Sequence, residues 1–315
     1  VGEFELIAEL FAPLSKGAPG AFGLMDDAAV LAPPPGHELV LKTDAIVEGV
    51  HFFRTDPPGD VARKALRVNL SDLAAKGAVP LGYLTALLLP DWPDMAWLRA
   101  FVDGLAADQA AFGLSLMGGD TSATPGPLAI SISAFGHVPA GAMIRRAGAK
   151  PGDLVFVSGT IGDAGGGLAA LKENSPAPEL IARYRVPEPR LALGPALRGI
   201  ASASLDVSDG LIADLGHIAD VSKVRIEVDA PRIPLSKALE ALWGAEAAAR
   251  AAIAGDDYEI AFTAPASRRA DVANAAARSG VAVAEIGRVA AGEGAVLLDA
   301  SGKAIALVRG GYAHF

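Results

Sequence analysis

Five acidic groups stand at or near the ends of apolar stretches: Asp26-Asp27, Thr43-Asp44, Asp72, Gly118-Gly119-Asp120-Thr121 and Asp206-Val207-Ser208-Asp209. Magnesium takes hard oxygen donors in an octahedron and usually keeps waters and substrate phosphates in its shell. Aspartates scattered along a chain but converging in space suit that role. They do not form an EF-hand, whose oxygens come from one short segment. Each group taken alone reads better as a turn or helix cap, the ordinary use of Asp beside Gly, Ser or Thr. As a set, several follow apolar strands, where α/β proteins gather functional groups. Asp72 sits on a predicted amphipathic helix with Val61, Ala65, Val68 and Leu73, capped by Gly77. A carboxylate near a packed face needs a compensating charge. Lys64 and Lys76 are not placed as certain partners, and a bound cation shared with other carboxylates would serve.

Absences narrow the reaction. The chain carries no Gly-x-x-x-x-Gly-Lys-[Ser/Thr] loop and no protein-kinase signature set. The turn Gly159–Gly167 lacks the Rossmann spacing, but it could aim backbone N–H groups at phosphate or simply join a strand to a helix. Arg145-Arg146 could pair with phosphate or be a solvated pair.

The 315 residues predict two domains, and 51% hydrophobic content allows sizeable cores. A balance of 27 basic to 36 acidic residues, net −9, argues against nucleic acid or an anionic membrane as partner. No cysteine is present, which excludes disulfides, thiolate metal sites and a cysteine nucleophile. The acidic, amphipathic N-terminal stretch is unlike a signal peptide, and no apolar run reaches about 20 residues. The expectation is a soluble cytoplasmic protein.

The elements that must position these residues alternate, so the class is α/β or α+β. Helices are predicted at 3–14, at the Asp72 stretch, at 94–112, after Gly167, at 191–200, after Gly210, and near 236–242, 246–252 and 267–279. Strands are predicted at 28–32, 39–44, 81–89, 114–117, 128–133, 154–158 and into Asp206, then near 224–228, 258–263, 281–287, 294–298 and 304–308. Pro and Gly punctuate a boundary at 148–153, so the domains are 1–147 and 148–315.

Taken together the chain resembles the thiamine-monophosphate kinase family of the aminoimidazole-ribonucleotide synthetase-like superfamily. The resemblance runs over essentially the whole chain. It is carried by Asp26–Val30, Thr43–Phe52, Asn69–Gly77, Gly118–Thr121, Gly148–Asp153, Asp206–Leu211 and Gly255–Glu259, in that order. It implies ATP-dependent conversion of thiamine monophosphate to thiamine diphosphate by direct in-line transfer, with several magnesium ions. It implies metal positions at Asp27, Thr43, Asp44, Asp72, Asp120, Asp206 and Asp209, of which Asp44, Asp72 and Asp120 serve catalysis. Gly119, Asp120, Arg146 and Ser208 would surround ATP, and His51, Asp256 and Tyr312 the monophosphate. His51 reads alternatively as a capping or packing residue.

The fold implied is a two-domain α/β (α+β) architecture. The N-terminal domain binds ATP and magnesium and forms a shared β-barrel across a homodimer, with the nucleotide lying where the domains meet. The chain departs from the family pattern at Met25, where Gly is usual, at Lys42, where Ser or Thr is frequent, and at Arg309. The alternative functions are a non-catalytic ATP- or metal-binding member, an aminoimidazole-ribonucleotide synthetase and a metal-dependent phosphatase. Lack of cysteine disfavours the selenophosphate synthetase and maturation dehydratase branches.

Overall fold

The computed structural model describes residues 3–307, of Glu3 and Phe4 the backbone only. The chain forms two compact units. The first takes the residues up to Leu73 and Ala78–Gly141, the second Ala74–Gly77 and the chain from Ala142 onward.

The first unit opens with α1 (Glu3–Leu6), which passes into a π-helical turn, Ile7–Phe11, and a 3-10 turn, Ala12–Ser15. The single helix expected over 3–14 is therefore broken, as Pro13 has no N–H to continue the ladder. Next come β1 (His37–Val47), α2 (Pro58–Ala75), β2 (Val79–Leu89), α3 (Met95–Phe112), β3 (Ser115–Ala123) and β4 (Ala129–Pro139). Asp94 caps α3 by accepting the Trp97 N–H at 2.8 Å, and Gly113 ends it at φ +70°. The strand expected at 28–32 does not form; Val30 donates to Gly20 of the preceding loop instead.

The four strands lie in the order β1-β4-β2-β3, with β1–β4 and β4–β2 antiparallel and β2–β3 parallel. Period-two alternation gives the sheet two unlike faces. One carries Val40, Ile46, Ile130, Ile132 and Tyr83, all buried. The helices cover it: Leu73 of α2 reaches Gly136, and Gln109 of α3 donates to the Tyr83 hydroxyl. Arg67 of α2 grips Asp108 of α3 through Nε and a second guanidinium nitrogen, both at 2.7 Å. The other face leaves Leu39, Leu41, Leu84 and Leu88 exposed, Leu41 by 66%.

The second unit runs β5 (Asp153–Ser158), α4 (Asp163–Glu173), α5 (Pro178–Arg185), α6 (Leu193–Ala196), β6 (Ala203–Asp206), α7 (Leu211–Ser222), β7 (Arg225–Asp229), α8 (Lys237–Trp243), α9 (Ala247–Ala251), β8 (Ile260–Pro265), α10 (Arg269–Ser279), β9 (Val283–Ala290) and β10 (Gly294–Leu298). The sheet order is β10-β7-β9-β5-β8-β6, antiparallel except for the β10–β7 pair. Both faces are covered. Val155, Val157, Leu205 and Ile226 join one core with Leu211, Leu215 and Ile218 of α7. Phe156 and Phe262 stack in the other with Leu193 of α6 and Val272 of α10. The helix expected over 191–200 shrinks to the single turn of α6, and α5 was not foreseen. At 304–308 the described residues hold only a bridge from Ala304 to Leu298.

Candidate functional site

In the first unit a cavity of about 800 Å³ opens on the uncovered sheet face. Asp26, Asp27, Asp120 and Ser133 share its lining with Leu41 and Phe135. The Asp26 side chain accepts the N–H of Asp27 at 2.8 Å. Met25, in the position where Gly was expected, has φ −102°, which any residue adopts. The left-handed conformations fall instead on Phe22, Gly23 and Leu24, at φ 50°, 65° and 60°. Met25 itself therefore does not need a glycine backbone, and the backbone strain of this loop lies on its neighbours Phe22 and Leu24.

Asp44 lies on the other face. β1 alternates, so Lys42 and Asp44 point together toward the helices while Thr43 points away. The Thr43 hydroxyl donates to the Ile132 carbonyl at 3.2 Å and accepts from Ser133 Oγ at 3.0 Å. Lys42 Nζ lies 2.7 Å from Asp72 Oδ2 and 3.1 Å from Asp44 Oδ1. The compensating charge that Asp72 requires is thus Lys42, which corrects the sequence reading that found no basic partner. The signal was present: residues 42 and 44 share a strand face by period two. Burial pulls the Lys42 pKa down, but the two carboxylates more than offset it, and the net shift is upward.

The aspartates of the first unit therefore form two groups. Asp27 and Asp120 share the cavity, and Asp44 and Asp72 meet under the helices. β1 and β3 are opposite edges of the sheet. At ~4.8 Å per strand, about 14 Å of sheet separates Asp44 from the strand of Asp120. Within one chain the two cannot ligate one ion through bonds of about 2.0–2.1 Å. At Gly119 a Cβ would meet the Thr85 carbonyl oxygen at 2.1 Å, so the strand pairing itself requires glycine there. His51 Nδ1 accepts the Val47 N–H at 3.1 Å, which leaves the neutral ring's proton on Nε2. The capping role weighed for His51 is thus real, whatever else the ring touches.

In the second unit two of the sequence pieces come together. Asp256 N–H donates to the Ser208 carbonyl at 2.8 Å, and a Cβ at Gly255 would lie 2.6 Å from that oxygen. Asp206 ends β6, buried, opposite Ile260 of β8. Asp214, which sequence reasoning passed over, organises the turn from β6 into α7. Its Oδ2 accepts the N–H groups of Ser208, Asp209 and Gly210 at 2.9, 3.0 and 3.2 Å. An Asp in the first turn of a helix after a Ser-Asp-Gly stretch is its sequence signal. Burial pushes the Asp214 carboxyl up to about 7; the Asp209 charge adds to the shift and the three N–H groups oppose it. Asp209, Asp214 and His217 bring ligand atoms within 4.8 Å of one another, the one such triad among the described residues.

Two further residues of the Gly255–Glu259 piece serve the frame. Buried Asp257 accepts the N–H groups of Gly162 and Ala164 at 2.7 and 3.3 Å. The N–H groups offered to phosphate in the sequence reading of Gly159–Gly167 are therefore taken at those positions by a carboxylate. Burial holds the Asp257 pKa well above the ordinary carboxylate range. Glu259, fully buried, receives Arg190 through two nitrogens, Arg183 at 2.9 Å and the Ser158 hydroxyl at 2.6 Å. Arg146 is exposed, and Tyr312, like Arg309, lies outside the described residues.

The two units match, in order, the N-terminal domain of AIR synthase related proteins over residues 25–138 and the C-terminal domain of the same proteins over 150–299. The chain is an AIR synthase related protein of two domains. Thiamine-monophosphate kinase of Caulobacter vibrioides is 47% identical over 93% of this chain and 85% of its own length. That of Salmonella typhimurium is 42% identical over 100% and 98%. The crystal structure of thiamine-monophosphate kinase from Stenotrophomonas maltophilia K279a superposes with a TM-score of 0.85, at 39% identity over 94% of this chain and 98% of that one. AaThiL complexed with AMPPCP and TMP superposes at 0.80, with 32% identity over 94% and 97%. The chain belongs to the thiamine-monophosphate kinase family.

Proposed function

We propose that the chain transfers the γ-phosphoryl group of ATP directly to the phosphate of thiamine monophosphate, yielding ADP and thiamine diphosphate. The observation that carries this reading is the shared fold with AaThiL, whose complex holds an ATP analogue and TMP together. A phosphate oxygen of the acceptor attacks the γ-phosphorus. The bond to the β,γ-bridging oxygen breaks, and ADP leaves with that oxygen. The acceptor is already anionic, so no general base is required and His51 is not one. The protein's task is positioning and charge stabilisation.

The donor set fits magnesium. Asp27, Thr43, Asp44, Asp72 and Asp120 in the first unit and Asp206 and Asp209 in the second offer hard oxygens, and Asp209 already has Asp214 and His217 beside it. Bound magnesium supplies neutralisation of phosphate charge. Asp44, Asp72 and Asp120 are the carboxylates assigned to catalysis. Gly119, Asp120, Arg146 and Ser208 receive ATP, and His51, Asp256 and Tyr312 receive the monophosphate. The exposed Leu39, Leu41, Leu84 and Leu88 form an apolar strip that includes an edge strand. This supports a homodimer whose first units share a barrel. The use of ATP as co-substrate supports a cytoplasmic location.

The test is a product assay with ATP, magnesium and either thiamine monophosphate or thiamine. Thiamine diphosphate and ADP in equal amounts, formed only from the monophosphate, are expected. ATP binding without turnover would overturn the reading in favour of a non-catalytic member, and phosphate release without an acceptor in favour of a phosphatase.

A further inference from the structure

Lys42 stands where the acidic constellation needs a cation. Its ammonium is within hydrogen-bond reach of a carboxylate from β1 and one from α2, at 3.1 and 2.7 Å. Both oxygens approach one nitrogen, so they face one another. Without a cation between them two such carboxylates repel. We propose that Lys42 is a resident cation, fixed by the chain at the point between Asp44 and Asp72 that a divalent ion would otherwise occupy. The chain accordingly binds one divalent ion fewer than the same site with a small neutral side chain at position 42.

The inference rests on the metal role assigned above to Asp44 and Asp72. An ammonium and a magnesium ion cannot share this gap. Magnesium requires its oxygens at about 2.0–2.1 Å in an octahedron. The lysine already takes up one oxygen of each carboxylate with N–H donors. The exchange also alters the charge. A divalent ion would balance both carboxylates, whereas Lys42 leaves one negative charge uncompensated. That charge sits beside the site permanently and does not vary with free magnesium. The remaining oxygens of Asp44 and Asp72 keep a net negative corner for ions bound elsewhere in the site.

The experiment counts ions without turnover. The full chain is stripped with EDTA and titrated with Mn2+, and free Mn2+ is read by electron paramagnetic resonance. K42S is expected to bind one Mn2+ per chain more than the wild type, and the double variant K42S/D44N to lose it again. Equal counts in the wild type and K42S overturn the proposal, as does an extra ion that survives in K42S/D44N. Should K42S not fold, K42M keeps the aliphatic stem and removes the charge; an added ion supports the proposal and an unchanged count overturns it. The product assay on the wild type reports separately on the kinase reading, so the two fail independently.

Discussion

Glu259→Gln separates the frame of the second unit from its chemistry. Glu259 has no solvent exposure, and its two oxygens receive Arg190, Arg183 and the Ser158 hydroxyl. The amide is isosteric, but it removes the charge and turns one acceptor into a donor aimed at cations. Removing one partner of a buried ion pair costs roughly 3–5 kcal/mol. For a domain of 150–250 residues each kcal/mol lowers the midpoint by about 2–4 °C, so a fall of at least about 6 °C is expected. The assay is thermal unfolding followed by circular dichroism, beside the KM for thiamine monophosphate below the transition. Asp256→Asn is the companion. Asp256 holds φ +69°, which Asn tolerates, and its side chain accepts from the Tyr258 hydroxyl at 3.3 Å, a bond that the Asn carbonyl can keep. It should melt like the wild type and raise the KM. A wild-type midpoint for Glu259→Gln would refute the argument that the buried network holds β5, β8 and the arginine-bearing segments together. An unchanged KM in Asp256→Asn would remove that residue from the substrate.

Other substitutions test the first unit. Asp44→Asn and Asp72→Asn should lower turnover by orders of magnitude with the fold retained; a near-wild-type rate in either, measured beside its melting curve, removes that residue's catalytic role. Gly119→Ala should cost about 1–3 kcal/mol through overpacking against the Thr85 carbonyl, while Gly118→Ala meets only the Leu84 side chain at 3.1 Å and should cost less; equal melting points would refute the close approach. Leu41→Glu, on the exposed strip, should convert a dimer to a monomer in light scattering, and an unchanged mass would exclude that face as the interface.

The parts of this molecule legible in the sequence are those set by local periodicity. α3 is bounded by Asp94 and Gly113 and matches its expected range nearly to the residue. β4 is expected from its alternation over 128–133, and that alternation continues to Pro139. The N-terminal helix and the 191–200 helix misled because their apolar spacing is helical, while Pro13 lacks an N–H for the ladder and Gly199, at φ +73°, turns the chain out of the second helix. At the site, residue types were legible and partnerships were not. Asp257 was offered no special role, yet it takes up N–H groups at Gly162 and Ala164, 95 and 93 residues earlier. Lys42 read only as a departure from a Ser or Thr pattern because the position was compared with that pattern rather than followed across the fold. Once β1 is placed beside α2, the same side chain becomes the partner that Asp72 lacked. A substitution that removes a ligand and one that supplies a charge look identical along the chain. Only the register of the strand and the turn of the helix facing it distinguish them, which is why an ion count on K42S bears on the site more directly than a further rate measurement.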